Sequence, residues 1–278
     1  MYYRRKILLT LLQVFDNKLE KMSLQKLLML LANKQSIPGF YFVPYKYGCY
    51  SFQANADLKT MIKYGQVDEE ENSWVKTDPT NYLPELKEND RMALRAIKCL
   101  YGDKSKTELI QLTYRRFPYY ALNSNIAQEL LNNKELQAIE EIRPKFNSTV
   151  LFTIGYEGIS LEQYLNKLIN HGVEVLCDVR KNSLSMKYGF SKSQLQNSCN
   201  GIGIKYVHIP ELGIASNKLQ ELNTQSDYDQ LFLQYRHDVL TSTRTQQNEI
   251  LELLKSHKRV ALTCFEANIC QCHRKTLG

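Results

Sequence analysis

The chain has 278 residues, 43% of them hydrophobic, which suits one large domain or, as we expect, two of ordinary size. Lys and Arg number 36 against 29 Asp and Glu, and the formal charge of +7 permits binding to nucleic acid or anionic metabolites without requiring it. No apolar run approaches the roughly 20 residues that span a bilayer, so no membrane partner is expected. Seven cysteines without a regular framework, and the lack of a recognisable secretion signal, favour a reducing cytoplasm.

The first half of the chain, up to about Lys145, is predicted to be mainly helical with a small wing. Apolar residues recur at helical spacing in RRKILLTLLQVF (4–15) and in SLQKLLMLLAN (23–33), where Ser23 is the expected N-cap. The other predicted elements are an aromatic, β-prone stretch (40–51), a hairpin or wing around an acidic turn (64–77), and helices at 85–100, at 106–116 and from about Ile126.

Three motifs of this half resemble a known family. SLQKLLMLL, YKYGCYS and ADLKTMIKYGQV are similar to the Panacea (SocA-like antitoxin) domain over roughly residues 5–70. That family carries a Leu-Gln-Lys-Leu helix, a Tyr-Gly-Pro-Tyr-Ser-like turn and a following helix, and Cys49 stands where its proline is usual. The resemblance implies a protein-interaction or winged-helix-like role rather than catalysis. A purely structural reading, in which the leucines of the first motif are core residues, is compatible with it.

After RPKFNS (143–148) strands alternate with helices, which indicates a parallel sheet covered on both faces. TVLFTIGYEG (149–158) predicts a buried strand, and Ser160 and Gly172 are expected to begin and end the helix that follows. The later predicted elements are strands at 173–180, 204–210 and 259–265 and helices at 190–203, 228–241 and 246–257. The sequence therefore predicts a mainly helical, winged-helix-like domain at 1–146 and an α/β, parallel-sheet, three-layer domain at 147–278.

Polar residues follow the apolar runs of the second half, at the strand ends where parallel sheets gather ligands. Asp178 and Arg180 follow the second strand, while Glu211 and Glu266 follow the third and the last. If those strands are neighbours, the four side chains converge at one rim. The basic segment KNSLSMKYGFSK (181–192) either closes over an anionic ligand or is a solvated loop.

The stretch LTCFEANICQCHR (262–274) concentrates reactive side chains. CHRKTLG (272–278) is expected to open a helix, with Cys272, His273 and Arg274 in or beside its first turn. Free N–H groups and the positive dipole end suit a phosphate or carboxylate there, and Arg274 adds a bidentate fork. The same field lowers a thiol pKa from about 8.5, so Cys272 is the candidate nucleophile. The alternative is a structural salt bridge from Arg274 to Asp178 or Glu266.

Two other chemistries fit this stretch less well. The three cysteines and His273 are soft ligands, but their spacing lacks the usual Cys-x-x-Cys pairs, and the adjacent Cys272 and His273 are not expected to face one ion. We therefore predict no metal and no cofactor. A phosphatase or rhodanese loop needs arginine six positions after its cysteine, where Cys270 follows Cys264, so thiol-dependent sulfur transfer is an alternative rather than the leading hypothesis.

Four motifs in order resemble a second family. TIGYEGISLEQYLNKL, VEVLCDVRKNSLSMKYGFSKSQL, GIKYVHIPELG and ALTCFEANICQCHR are similar to the domain of unknown function 488 from about residue 149 to the end. The resemblance implies a bacterial α/β domain that continues through a helix beyond Arg274, so we expect this sequence to end short of it. The family's recurrent positions fall on Gly155, Tyr156, Asp178, Arg180, Phe190, Lys192, Tyr206, Glu211, Leu212, Cys264, Glu266, Cys272, His273 and Arg274.

The leading functional hypothesis is an anionic, nucleotide-like ligand or a nucleic-acid segment bound at the strand-end crevice. The candidate catalytic residues are Asp178, Glu266 and Cys272. The candidate ligand-binding residues are Tyr156, Arg180, Lys192, Glu211, Cys264, His273 and Arg274, among which Arg274, Arg180 and Lys192 hold the anion. The alternative is a non-catalytic DNA- or protein-binding module of a regulatory or defence system, in which the N-terminal domain binds a protein partner.

Overall fold

The structure is a computed structural model that describes residues 1–215 and 222–277. The chain divides into two compact units, Met1–Arg143 and Pro144–Gly278. Each unit has its own hydrophobic core. Within the described ranges, no helix is long and apolar enough to cross a membrane.

The first unit is mainly helical and holds two small antiparallel sheets. Its helices are α1 (Tyr3–Val14), α2 (Lys21–Ala32), α3 (Phe52–Lys63), α4 (Glu88–Tyr101), α5 (Lys106–Arg116), α6 (Ala127–Leu130) and α7 (Asn133–Ile142). Its strands are β1 (Lys18–Glu20), β2 (Val43–Tyr45), β3 (Gly48–Tyr50), β4 (Val67–Glu69) and β5 (Ser73–Lys76). The strand orders are β1-β5-β4 and β2-β3. The predicted hairpin at 64–77 is confirmed as β4 and β5, whereas the winged-helix assignment stays a prediction.

Helix α2 lies at the centre of the first unit, and residues 23–32 of it are all buried. The predicted N-cap at Ser23 is wrong, because α2 begins at Lys21 directly after β1. Pairing of Glu20 with Ser73, and donation from the Lys21 amide to the Asn72 carbonyl at 2.8 Å, fix the chain before Ser23 is reached. The helix start is thus set by strand pairing rather than by a side-chain cap.

Two polar residues of α2 hold the turn between β2 and the start of α3. The Lys26 ammonium is 1% exposed and donates to the Tyr47 carbonyl at 2.5 Å and the Cys49 carbonyl at 3.4 Å. The Gln25 amide oxygen accepts from the Ser51 amide at 2.8 Å. Burial lowers the pKa of Lys26 from its ordinary value of 10.5. The Leu-Gln-Lys-Leu and Tyr-Gly-Cys-Tyr-Ser motifs are therefore two sides of one contact.

The second unit alternates strands and helices. Its strands are β6 (Val150–Gly155), β7 (Val175–Asp178), β8 (Lys205–His208) and β9 (Arg259–Cys264). Its helices are α8 (Leu161–Asn170), α9 (Lys192–Gly201), α10 (Gln225–Tyr235), α11 (Arg244–His257) and α12 (Arg274–Leu277). The single helix predicted at 228–241 is instead α10 followed by a π-helical segment, Arg236–Leu240.

The four strands of the second unit form a parallel sheet in the order β6-β9-β7-β8. On one face, inward residues of β7 and β9 pack against Ile250 of α11. On the other, the Tyr164 hydroxyl of α8 donates to the Thr263 hydroxyl at 2.8 Å. The α/β class and the coverage of both faces are thus confirmed. Because all strands run the same way, Gly155, Asp178, His208 and Cys264 end at one edge.

Candidate functional site

Two glycines bring the loops at the carboxyl edge of the sheet into backbone contact. A Cβ atom at Gly155 would lie 1.8 Å from the carbonyl oxygen of Glu266, and one at Gly213 would lie 2.0 Å from the amide nitrogen of Lys181. Only glycine permits such close approach, since each obstacle is main chain. The end of β6 therefore rests against the segment after β9, and the segment after β8 rests against the segment after β7.

Asp178, at the end of β7, is a fully buried carboxylate. The Nε and Nη2 atoms of Arg180 donate to its two oxygens at 2.8 and 2.5 Å, and the Tyr206 hydroxyl donates to Oδ2 at 2.6 Å. The remaining Nη1 of Arg180 donates to the Tyr156 hydroxyl at 2.7 Å. Burial and the neighbouring Asp178 charge raise the pKa of Tyr206. These four side chains form one connected network in which the charge of Arg180 is already paired.

A second buried cluster follows β9. The Sγ atoms of Cys264 and Cys272 and a ring nitrogen of His273 all lie within 4.8 Å of one another. The Nε of Arg274 donates to the Cys272 sulfur at 3.0 Å, and a second nitrogen of this guanidinium donates to the Glu266 carbonyl. Arg274 is only 1% exposed. It therefore stabilises the sulfur rather than presenting a fork to solvent.

Hydrogen bonds within this cluster shift the pKa values of its two thiols in opposite directions. The pKa of Cys272 is lowered to about 3, first because the Cys264 thiol donates to it and then because of His273 and Arg274, while burial opposes the shift. The same hydrogen bond, together with burial, raises the pKa of Cys264 well above its ordinary value. Burial and the charge of Cys272 raise the pKa of Glu266. The sequence predicts a lowered Cys272 pKa, but its largest cause is another cysteine rather than the helix start.

The expectation that Cys272 and His273 face different directions is wrong. The Cys272 sulfur lies 3.9 Å from Nδ1 of His273. The histidine ring is held in this orientation because Nε2 lies 3.3 Å from the Val179 carbonyl and the ring packs edge-on to Tyr235 at 5.4 Å. Tertiary contacts of the histidine, which spacing does not reveal, bring the two ligand atoms together.

A cavity of about 450 Å³ opens at the carboxyl edge. Five of the predicted site residues line it, namely Tyr156, Arg180, Cys264, Glu266 and His273. The other five lie outside its lining: Asp178, Lys192, Glu211, Cys272 and Arg274. Among these, Cys272 is 1% exposed, which gives a nucleophile little access to a ligand and weakens the alternative of sulfur transfer through this thiol.

Glu211 and Lys192 are separated from the cavity for different reasons. Glu211 lies in a short 3-10 helix, Pro210–Leu212, and lines a neighbouring cavity of about 200 Å³. Lys192 begins α9, and its amide donates to the Ser183 carbonyl at 3.0 Å. The predicted convergence of polar strand ends thus holds for Arg180 and Glu266 at the cavity, with Asp178 beneath it and Glu211 beside it.

Eight lining residues were not predicted as site residues, and three of them, Lys181, Lys187 and Phe265, are charged or aromatic. Lys181 is exposed, and Phe265 is 44% exposed and meets the Tyr156 ring edge-on at 5.3 Å. The Lys187 ammonium donates to the Tyr156 carbonyl at 2.6 Å and also lines the cavity. Lys181 and Phe265 each come directly after a predicted site residue at a strand end. This position in the sequence could have identified them as lining residues. Tyr156 itself is 3% exposed and stacks on Phe190 at 4.2 Å.

The fold and the site define a parallel α/β unit whose strand ends enclose a cysteine–histidine cluster beneath a basic cavity. Residues 160–278 match the family model described as Domain of unknown function DUF488. The resemblance predicted for the second half is confirmed over these residues, and the Panacea-like resemblance of the first half stays a prediction. Comparison with curated proteins and with solved structures gives no match.

Proposed function

We propose that the second unit binds an anionic, nucleotide-like ligand, free or within nucleic acid, in the cavity at the carboxyl edge of its sheet. The observation that carries this proposal is the charge of the lining, which among residues 1–215 and 222–277 holds three cations, Arg180, Lys181 and Lys187, and one carboxylate, Glu266. Ligands of parallel α/β sheets collect at this edge. An excess of cations in a concave site raises the local concentration of anions.

Lys181 is the side chain best placed to meet the anion. It is exposed at the cavity, and its ammonium has no hydrogen bond or ion pair with any residue in the ranges 1–215 and 222–277. The charge of Arg180 is already balanced by Asp178, and its donors are engaged by Asp178 and Tyr156. Lys187 is held at the cavity wall by the Tyr156 carbonyl. We assign the direct contact to Lys181 and a supporting role to the other two cations.

Phe265 supplies a surface for a planar group. Its ring is 44% exposed at the cavity and contacts Tyr156 only through an edge. An aromatic face in a basic groove is the arrangement by which proteins stack nucleobases without strong sequence preference. A ligand that joins a phosphate to a base would bridge Lys181 and Phe265. Glu266, the carboxylate among the described lining residues, is available to accept from a donor group or to act in acid–base chemistry.

Titration calorimetry with a panel of nucleotides and short single strands tests this proposal on the full-length chain. We expect Lys181→Ala to raise the Kd about tenfold, equivalent to ~1.4 kcal/mol. The matched control is Lys205→Ala, which removes the same charge from the exposed first residue of β8, at the opposite end of the strand. Equal affinity of both variants for every ligand, or no binding by the unmodified chain, would count against the site.

We further propose that the first unit is a Panacea-like, winged-helix-like module that binds a protein partner, within a cytoplasmic protein. The paired motifs around Lys26 and the β4–β5 hairpin support this assignment. Cross-linking of the full-length chain in cell extract should concentrate partner cross-links on exposed lysines of this unit, such as Lys18 and Lys63. Partner cross-links confined to the second unit would contradict it.

A further inference from the structure

We infer that Cys264, Cys272 and His273 bind a thiophilic divalent metal ion, Zn²⁺ being the choice that fits these ligands, with a fourth position open towards the cavity. Two sulfur ligands and one imidazole are a set that zinc uses when it keeps one position for water or substrate. The inference stands on this cluster alone and does not rest on the proposed anion site.

The spacing of the ligand atoms fits a tetrahedral ion. With Zn–S distances near 2.3 Å and Zn–N distances near 2.0 Å, ligand atoms of a tetrahedral site lie about 3.5 to 3.8 Å apart. The three ligand atoms lie within 4.8 Å of one another, and the Cys272 sulfur is 3.9 Å from Nδ1 of His273. Small side-chain rotations therefore suffice to close the cluster on an ion. All three residues are buried, so the ion would be shielded on the protein side.

The hydrogen bonding of His273 selects the nitrogen that a metal needs. Its Nε2 lies 3.3 Å from the Val179 carbonyl, which only accepts, so Nε2 carries a proton. With the proton on Nε2, Nδ1, which lies 3.9 Å from the Cys272 sulfur, is the ring atom left to bind an ion. Metal-bound histidines almost always donate their other N–H to such a carbonyl or carboxylate, which fixes the tautomer and the ring orientation.

Glu266 marks the open side of the cluster. Its Oε2 is buried and has no hydrogen-bond partner among the residues described, and the side chain lines the cavity. A carboxylate oxygen in that state indicates a missing donor. A water molecule on the fourth metal position would supply it.

Metal analysis of the full-length chain, purified without a polyhistidine tag or chelator, tests the inference. We expect about one zinc ion per chain, lost in Cys272→Ser and in His273→Ala. The matched control is Cys270→Ser, which alters a half-buried thiol of the same loop that lies outside the cluster, and it should keep the ion. Loss of zinc from Cys270→Ser, or retention in Cys272→Ser, would overturn the three-ligand assignment.

Cobalt substitution keeps the test valid if the variants fail to fold. The unmodified chain loaded with Co²⁺ should show the intense visible absorption of a tetrahedral site and a sulfur-to-cobalt charge-transfer band, both abolished by one equivalent of Zn²⁺. Weak absorption typical of octahedral cobalt, or none, would overturn the inference. So would alkylation of Cys272 by iodoacetamide at a rate that added Zn²⁺ does not lower, since that outcome indicates a thiolate–imidazolium pair instead.

Discussion

Two buried cations, one in each unit, are stabilised in different ways. In the first, the ammonium of Lys26 is surrounded by main-chain carbonyls of Tyr47 and Cys49, and burial lowers its pKa. In the second, Arg180 is buried against the carboxylate of Asp178, with bonds to both oxygens. The first arrangement fixes the path of a turn, whereas the second balances a charge directly beneath the cavity.

This difference separates a structural motif from a candidate functional one. The carbonyl groups of Tyr47 and Cys49 hold the Lys26 ammonium in place. By contrast, two members of the Arg180 network, Arg180 and Tyr156, line the cavity and bond to each other. Buried charge alone therefore does not identify a site in this chain, and contact with a cavity is the distinguishing feature.

The largest expected effect comes from breaking the Asp178–Arg180 pair on one side. Asp178→Asn leaves a buried guanidinium without its countercharge, and such changes cost about 3–5 kcal/mol. Urea denaturation followed by circular dichroism measures the free energy of unfolding. Asp229→Asn, at an exposed aspartate of α10, is the control and should change stability by less than about 0.5 kcal/mol. A cost for Asp178→Asn as small as that of the control would refute a charge-balancing role.

The next effect concerns the hydroxyl that completes the same network. Tyr206→Phe removes the donor 2.6 Å from Oδ2 of Asp178 and leaves Arg180 in place. Hydrogen bonds to a charged group are worth about 1.5–3 kcal/mol, so we expect a loss of stability in that range. Tyr64→Phe, at a tyrosine that is 70% exposed, provides the comparison and should be nearly neutral in the same denaturation assay. Equal losses of stability in Tyr206→Phe and Tyr64→Phe would indicate that Arg180 alone stabilises the Asp178 carboxylate.

A smaller effect, dependent on pH, is expected at Lys26. Lys26→Met leaves two buried carbonyls without their donor and should cost about 1–3 kcal/mol. Because the folded pKa is below 10.5, the unfolded chain binds more protons between those two values, so this lysine makes the unmodified chain more stable as pH rises through that window. Methionine does not titrate. The cost of the substitution should therefore grow with pH up to about 10.5 and be smallest below the folded pKa.

Denaturation midpoints at several pH values, compared between the unmodified chain and Lys26→Met, give that difference directly. Both proteins should carry Cys49→Ala, because burial raises the pKa of this thiol and Lys26 lowers it, so its opposite pH dependence would otherwise differ between them. Lys63→Met, which removes an exposed lysine, is the control for the same substitution outside the core. A cost at Lys26 that stays constant or falls with pH would show that the buried ammonium is not disfavoured by folding.

The smallest effect on stability is expected at Lys181, where the effect on binding is expected to be large. Its side chain is exposed, so Lys181→Ala should alter the free energy of unfolding by less than about 0.5 kcal/mol. Thermal denaturation with and without a bound nucleotide checks both parts, since the variant should lose ligand-induced stabilisation. A large drop in the melting temperature of the free variant would assign Lys181 a structural role instead.

Capping residues in the sequence correctly predicted the ends of a helix where only neighbouring residues determine those ends. Ser160 caps α8 in a capping box with Gln163, and Gly172 follows the helix with a φ of 59°. Ser23 failed as a cap because β1, a strand defined by distant pairing, sets the start of α2. The π-helical turn after α10 likewise has no periodic signal that separates it from a longer helix.

The candidate site was predictable in position but not in detail. Parallel strands bring their ends to one edge, and this alone placed Asp178, Arg180 and Glu266 near one another. The partner of each side chain depends on the direction in which the side chain projects. The sequence therefore did not predict the hydrogen bond from Arg274 to the Cys272 sulfur. The spacing of Cys264, Cys272 and His273 along the chain did not predict that they form a cluster. Spacing is a poor guide to distance here because the remote Val179 carbonyl orients the His273 ring.

The backbone contacts at Gly155 and Gly213 also constrain how this cavity can change over generations of mutation. Neither position accepts a side chain, so the paths of the loops that meet there are fixed whatever ligand is selected. Variation is then confined to side chains that project from those fixed paths, chiefly Lys181, Lys187 and Phe265. A mutagenesis library aimed at new ligands should keep both glycine codons constant and randomise these three positions, because they alter the chemistry of the lining without moving its frame.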